Sequence, residues 1–281
     1  MDSVTVILPV YNEAWLIGSV YSRVADYARL HPTWKFQFVD DGSTDETPGL
    51  LRERLSSENA PTNIDLLQRK PNAGKAIVIR ESILAATDDL VLFTDGDLAY
   101  DLSHLDQLCE ALQHTDIAIG SRSLAREPQH NIRFIRRAMG GLFNRFVRLL
   151  TGVTHTDTQA GLKGFRNIPA KAIFRRQHVT NFAFDAELLF LAHRLGLSVS
   201  EIPAIVSPRH SYKKSKMNLL KDPPRMLLSL LRMRIMHRGV KWSDETRSEP
   251  DSTASIEVFP DARTRITRHA QSEREQAGVS S

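Results

Sequence analysis

The chain has 281 residues, 41% of them apolar and 25% charged, with a formal net charge of +4 at neutral pH. That balance describes an ordinary folded globule with room for one large core or two smaller ones, and it makes disorder no default for the chain. The single cysteine, Cys109, excludes an internal disulfide framework and fits a reducing environment. Lying in a predicted helix without ligand-type neighbours, it reads as a buried structural thiol rather than a nucleophile.

The opening stretch MDSVTVILPV carries an acid where a secretory leader has basic residues, and it reads as a strand. Strand-type runs recur as VTVILPV (4–10), FQFVD (36–40), IDLLQ (64–68), DLVLF (89–93) and DIAIG (116–120), with helix-type spacing between them over 14–30, 45–57, 74–86 and 103–113. Strict alternation predicts βαβ units, an α/β fold with a mainly parallel sheet covered by helices. Ligands of such sheets sit beyond the carboxyl ends of the strands. Four of those ends read PVYNE, VDDGSTDE, TDGDL and GSRS, so three of the four bring acids to one rim. Neither GxGxxG nor GxxxxGK[ST] occurs, and the sheet has no dinucleotide fingerprint or P-loop with which to handle phosphate.

Residues 132–150, IRFIRRAMGGLFNRFVRLL, predict a basic amphipathic helix, or a helix pair broken at Gly140 and Gly141. A second such stretch, PRMLLSLLRMRIMHR (224–238), follows the helix-blocking pair Pro223 and Pro224. No run reaches the roughly 18 apolar residues of a membrane span. Long apolar side chains with interleaved arginines suit a helix in the lipid headgroup layer, packing on the domain or a partner subunit being the other reading. From Arg209 to Lys241 ten basic residues face one acid, Asp222, whereas Trp242 to Ser281 holds five against eight. The first stretch calls for an anionic partner. The second, poor in apolar residues, predicts a disordered tail.

Asp95 and Asp97 flank Gly96 just past a strand. Crowded carboxylates need a shared cation or proton, and a glycine between them lets both turn toward one metal. An isolated DxD also occurs in ordinary turns. Its place on the same rim as PVYNE and VDDGS favours a divalent cation that neutralises a departing diphosphate.

VILPVYNE, FVDDGSTDET, PNAGKAIVIRES, DLVLFTDGDL, GSR, DTQAGLKGF, FAFDAELLFLA and SKM resemble, in order and spacing, the family 2 inverting glycosyltransferases, and most of all the polyprenyl-phosphate branch, the dolichyl-phosphate glucose and mannose synthases. The resemblance covers residues 4 to about 220 and implies a GT-A fold. Its donor half would run from 1 to 122 and its acceptor half from 123 to 215, followed by a basic interfacial helix over 216–241 and the tail over 242–281. It implies that Pro9, Tyr11 and Glu13 line the nucleotide site, that Val39 and Asp41 meet base and ribose, and that Asp95, Gly96 and Asp97 hold the diphosphate through Mg2+ or Mn2+. Arg122, Arg209 and Lys216 would contact phosphates, a task that suits guanidinium forks. Lys75 of NAGK would reach the donor or be an exposed helix-start lysine. The glutamine that many relatives carry two residues after the second acid is here Ala99.

By the same resemblance the reaction is a single in-line displacement from a nucleotide sugar, UDP-glucose or GDP-mannose, onto a polyprenyl phosphate. Asp157 would orient or deprotonate the acceptor with Gln159 beside it, Asp185 and Glu187 being rivals that fit equally well as helix-start acids. Arg133, Arg136 and Arg137, together with Arg122, would receive the lipid phosphate. The protein would sit on the cytoplasmic face of a membrane, peripherally or through a separate membrane subunit. A family 2 enzyme acting on a soluble or glycan hydroxyl, and a non-catalytic membrane adaptor with this fold, are the alternatives. A nucleic-acid binder is disfavoured because the rim acids would repel a phosphate backbone.

Overall fold

The computed structural model of the chain describes residues 2–125, 145, 157–181, 183–207, 222–240 and 257–258, with side chains in the last helix from 228 onward. The elements run β1 (Val4–Val10), α1 (Ala14–Leu30), β2 (Trp34–Asp40), α2 (Thr47–Leu55), β3 (Ile64–Gln68), α3 (Lys75–Ala85), β4 (Leu90–Phe93), α4 (His104–Ala111), β5 (Ile117–Ser121), β6 (Lys163–Arg166), α5 (Asn167–Phe174), α6 (Phe184–Arg194), β7 (Val199–Pro203), α7 (Asp222–Met236) and β8 (Glu257–Val258). They build one sheet in the order β7-β5-β6-β4-β1-β2-β3-β8.

The continuous apolar runs of β1 and β4 are explained by cover on both faces. Val4, Val6, Leu8 and Val10 point to one side, where Phe36, Phe38 and the inner residues Ile17, Val20 and Val24 of α1 meet them. Ile7, Val39 and Phe93 point to the other, against Val78, Ile79 and Ile83 of α3 and the helices α5 and α6.

The sheet is mixed. β1 is parallel to β2 and β4, β2 to β3, and β5 to β7. β6 runs antiparallel to both β4 and β5, and β8 antiparallel to β3. Because β6 reverses direction between two strands that share one, the carboxyl ends of β1, β2, β4 and β5 still lie on the same rim. The antiparallel register Phe93↔Lys163 has a second effect: two residues further along, it brings Gly161 opposite Asp95. The pair β8 lies within the stretch expected to be wholly disordered, and for these two residues that expectation fails, since their backbone pairs with Leu67 and Gln68.

Pro223 and Pro224 do not precede the last helix but fall inside its first turn, where the missing N–H has no helical partner to lose. Leu230 and Met233 of α7 pack on Ala186 and Phe190 of α6. His237, buried just past the helix, lies 2.8 Å from Glu187 Oε1, and the same carboxylate accepts the backbone N–H groups of His178 and Val179. Leu228, Leu231, Ile235 and Met236 face outward. Cys109 is half-buried, and its thiol is pushed up to about 12 by burial, with Asp106 adding to it, as suits a structural thiol. Among the described residues, no helix is long and apolar enough to cross a membrane.

Candidate active site

Asp95 and Asp97 leave the end of β4 in a turn pressed onto β1. A Cβ at Gly96 would lie 2.1 Å from the Pro9 carbonyl oxygen, so only glycine lets the two strand ends approach this closely. From the far side the Asp95 carboxylate rests against Gly161, where an added Cβ would fall 2.2 to 2.5 Å from all three of its atoms. Lys75, the first residue of α3, holds Asp95 Oδ1 at 2.5 Å. Burial works against that ammonium, yet Asp95, and behind it Asp185, outweigh burial and keep the Lys75 pKa above the ordinary lysine value. Lys75 does stand at a helix start and is partly exposed, but its ammonium is paired with Asp95.

Pro9 lies near the end of β1, and Tyr11 and Glu13 follow it. Tyr11 is exposed, while Glu13 is buried at the start of α1, its backbone N–H bonded to Thr47 Oγ1. Asp41 is committed to the turn before α3, accepting from the Asn72 amide and from the backbone of Ala73 and Gly74 at 2.7 to 2.9 Å. Burial pushes its carboxyl above the ordinary aspartate value even against these donors. The expected contact of Val39 with the base does not hold. Val39 is fully buried in the core beneath α3 and offers a ligand no surface.

Further along the rim, Arg122 follows β5 and grips Asp157 as a fork, Nε to Oδ2 at 2.6 Å and Nη2 to Oδ1 at 2.9 Å. The backbone N–H groups of Arg122 and Gln159 donate to the same carboxylate. Burial raises the Asp157 pKa, but the Arg122 hydrogen bond and charge overcome it and leave the carboxyl below the usual range. In the same way burial lowers the Arg122 pKa and Asp157, with Tyr100 beside it, more than restores it. Both oxygens of Asp157 are thus spent on fixing Arg122.

Sequence reasoning missed Lys163. It is fully buried, with its ammonium 2.5 Å from the Ala160 carbonyl, 2.7 Å from Asp185 Oδ1 and 5.8 Å from the centre of the Phe93 ring. It ties the loop carrying Asp157 to the start of α6. A lysine at an inward position of a short strand between two glycines was the available signal. Asp185 is therefore an ion-pair partner, and Glu187, fully buried, is taken up by His237 and by the backbone of His178 and Val179. Arg209, Lys216, Arg133, Arg136 and Arg137 lie outside the described residues, as does the predicted helix over 132–150.

The donor set fits a hard dication. Among the described residues no cluster of three or more His, Cys, Asp or Glu gathers. Mg2+ and Mn2+ bind through one or two carboxylates with substrate phosphates and water completing the shell, and Asp95 and Asp97 at the glycine turn supply that pair. Ala99, at the place of the additional ligand expected from the resemblance, is buried and leaves the position to water.

The mixed α/β sheet and the comparisons of sequence and fold together mark the protein as a glycosyltransferase. Residues 5–180 match the model of Glycosyl transferase family 2, and the chain belongs to that family. It is 30% identical over 257 residues to a dolichyl-phosphate beta-glucosyltransferase of Trichomonas vaginalis, covering 87% of this chain and 76% of that one. A dolichyl-phosphate beta-glucosyltransferase of Drosophila melanogaster is 31% identical over 212 residues, 70% of this chain and 65% of its own. Among solved structures, glucosyl-3-phosphoglycerate synthase from Mycobacterium tuberculosis in complex with phosphoglyceric acid aligns with a TM-score of 0.59 at 16% identity, over 92% of this chain and 87% of that one. A structure of the same synthase with Mn2+, UDP-glucose and phosphoglyceric acid aligns at 0.55 and 14%, over 93% and 88%. Identity this low establishes the shared GT-A fold and nothing finer.

Proposed function

We propose that the protein transfers a hexose, glucose in preference to mannose, from a nucleoside diphosphate sugar to a polyprenyl phosphate, with inversion and dependence on Mg2+ or Mn2+. The relatives' printed names favour glucose and a dolichyl-type acceptor. One observation carries the reading: Asp157, the acid best placed to be a base, is already engaged on both oxygens by Arg122 and is held ionised below the ordinary range. A hydroxyl acceptor needs a base to take its proton. A phosphate monoester, with a second pKa of about 6, arrives already anionic and needs only a cation to receive it. Arg122, fixed by Asp157, is that cation.

In this reading the two ends of the rim divide the charges. Asp95 and Asp97 hold the dication, which, when bound, offsets the charge of the departing nucleoside diphosphate. Lys75 stands beside them to take a phosphate oxygen. Pro9, Tyr11 and Glu13 border the nucleoside, and Asp41 fixes the turn that leads to Lys75. Arg122 orients the acceptor for in-line attack, which accelerates transfer by alignment rather than by proton removal. The outward face of α7 lies on an anionic membrane surface. At about 100° per residue, Leu228, Leu231 and Ile235 form a stripe opposite the packed Leu230 and Met233, with the exposed Arg232 on its flank. From 223 to 243 the chain has no acid.

The test is a donor screen with undecaprenyl and dolichyl phosphates, offering labelled UDP-glucose and GDP-mannose with and without EDTA and extracting the lipid. Label from UDP-glucose is expected in the lipid phase and is expected to vanish in chelator. Label confined to the aqueous phase would show a soluble acceptor, and equal turnover in EDTA would remove the cation.

A further inference from the structure

Building on that reading of the rim, we propose that Lys75 and the divalent cation are alternative partners of one Asp95 oxygen, exchanged when the donor diphosphate arrives. The free protein then rejects bare metal and accepts it together with nucleotide.

The geometry makes the two occupants exclusive. Lys75 Nζ sits on Asp95 Oδ1 at 2.5 Å. The Gly161 backbone closes in behind the carboxylate, near enough that one methyl group would overlap all three of its atoms, and leaves it little room on that side. A dication held between Asp95 and Asp97 would therefore lie within a few ångströms of an ammonium, with the repulsion largest where water is scarce. Both side chains are about a third exposed, Lys75 at 35% and Asp95 at 31%, so solvent ions can reach the pair. Bare metal must displace a cation already in place.

Nucleotide changes this balance. A diphosphate arriving at the rim gives the ammonium a second anion, and Lys75 is built to move to it. Its stem passes the rings of Phe93 and Phe184, with Nζ 6.0 and 5.9 Å from their centres, and neither ring holds it by a hydrogen bond. Asp185, already paired with Lys163, acts on it from below without a direct bond. Once the ammonium leaves Asp95 for phosphate, the vacated oxygen and the phosphate oxygens face the metal together. Lys75 thus makes metal and donor binding mutually favourable, and such coupling is reciprocal.

The test reads Mn2+ binding by electron paramagnetic resonance on the purified full chain, without donor or acceptor. Lys75→Met is expected to bind Mn2+ more tightly than the wild type by about threefold or more, and Lys75→Arg to stay near the wild type. In metal-free buffer, UDP is expected to bind Lys75→Met more weakly than the wild type. A gain in Mn2+ affinity below about threefold, or a loss, overturns the exchange. Circular dichroism checks the fold, and Lys75→Gln gives the same reading if the methionine variant does not fold. No acceptor enters these measurements, so failed lipid transfer would sink the proposed acceptor and leave the exchange standing.

Discussion

Gly161→Ala separates the site from the scaffold. The added methyl would lie 2.2 Å from Asp95 Oδ2 and 2.5 Å from Cγ and Oδ1. Non-bonded heavy atoms settle at about 3.5 Å, so the carboxylate must retreat by about 1 Å. Gly161 has no positive φ, and alanine fits its backbone without strain. Gly161 is buried, and the cost in stability is that of overpacking by one methyl group, about 1–3 kcal/mol. The cost in rate is separate, because a displacement of about 1 Å in a positioned group lowers turnover about 10²-fold. The assay measures kcat at saturating donor and metal beside the melting temperature, with Gly239→Ala as control, since nothing lies within 4 Å of a Cβ there. A kcat within about threefold of wild type in the folded Gly161→Ala protein would refute the role given to Asp95.

Three further outcomes are expected. Lys163→Met leaves Asp185 buried without its cation and lowers stability by about 3–5 kcal/mol, read as a lower urea midpoint with the slope preserved. Asp157 has a folded pKa below its unfolded value of about 4, so its contribution is fully present above that value and lost as pH falls through the folded pKa. Asp157→Asn is therefore less stable than wild type at pH 7 and loses less on acidification below about pH 4, measured by urea unfolding across pH. Ile235→Asp places a charge in the outward stripe of α7 and is expected to reduce co-sedimentation with anionic vesicles while leaving the melting temperature unchanged.

The strands and helices that repeat strongly were legible from the chain. Residues 14–30 carry unbroken helical spacing and fold as α1 over those positions, and VTVILPV is β1 to the residue. What escaped was short or set by distant contacts. β6 is four residues, Lys163–Arg166, with a lysine and a glycine among them, and no local pattern marks it as a strand. Its direction, which makes the sheet mixed, is decided by its neighbours β4 and β5. The rim acids could be gathered from strand ends alone. Their partners could not, because Lys163 with Asp185 and Arg122 with Asp157 meet across gaps of 22 and 35 residues. Val39 misled for a related reason: period two tells which residues share a face, and only the packing of α3 shows that this face is the core.

Gly74, at a φ of 94°, and its neighbours Asn72 and Ala73 are pinned by the Asp41 carboxylate before any ligand arrives. Lys75 therefore swings from a fixed pivot. Its travel from one anion to another is a side-chain rotation that requires no loop rearrangement.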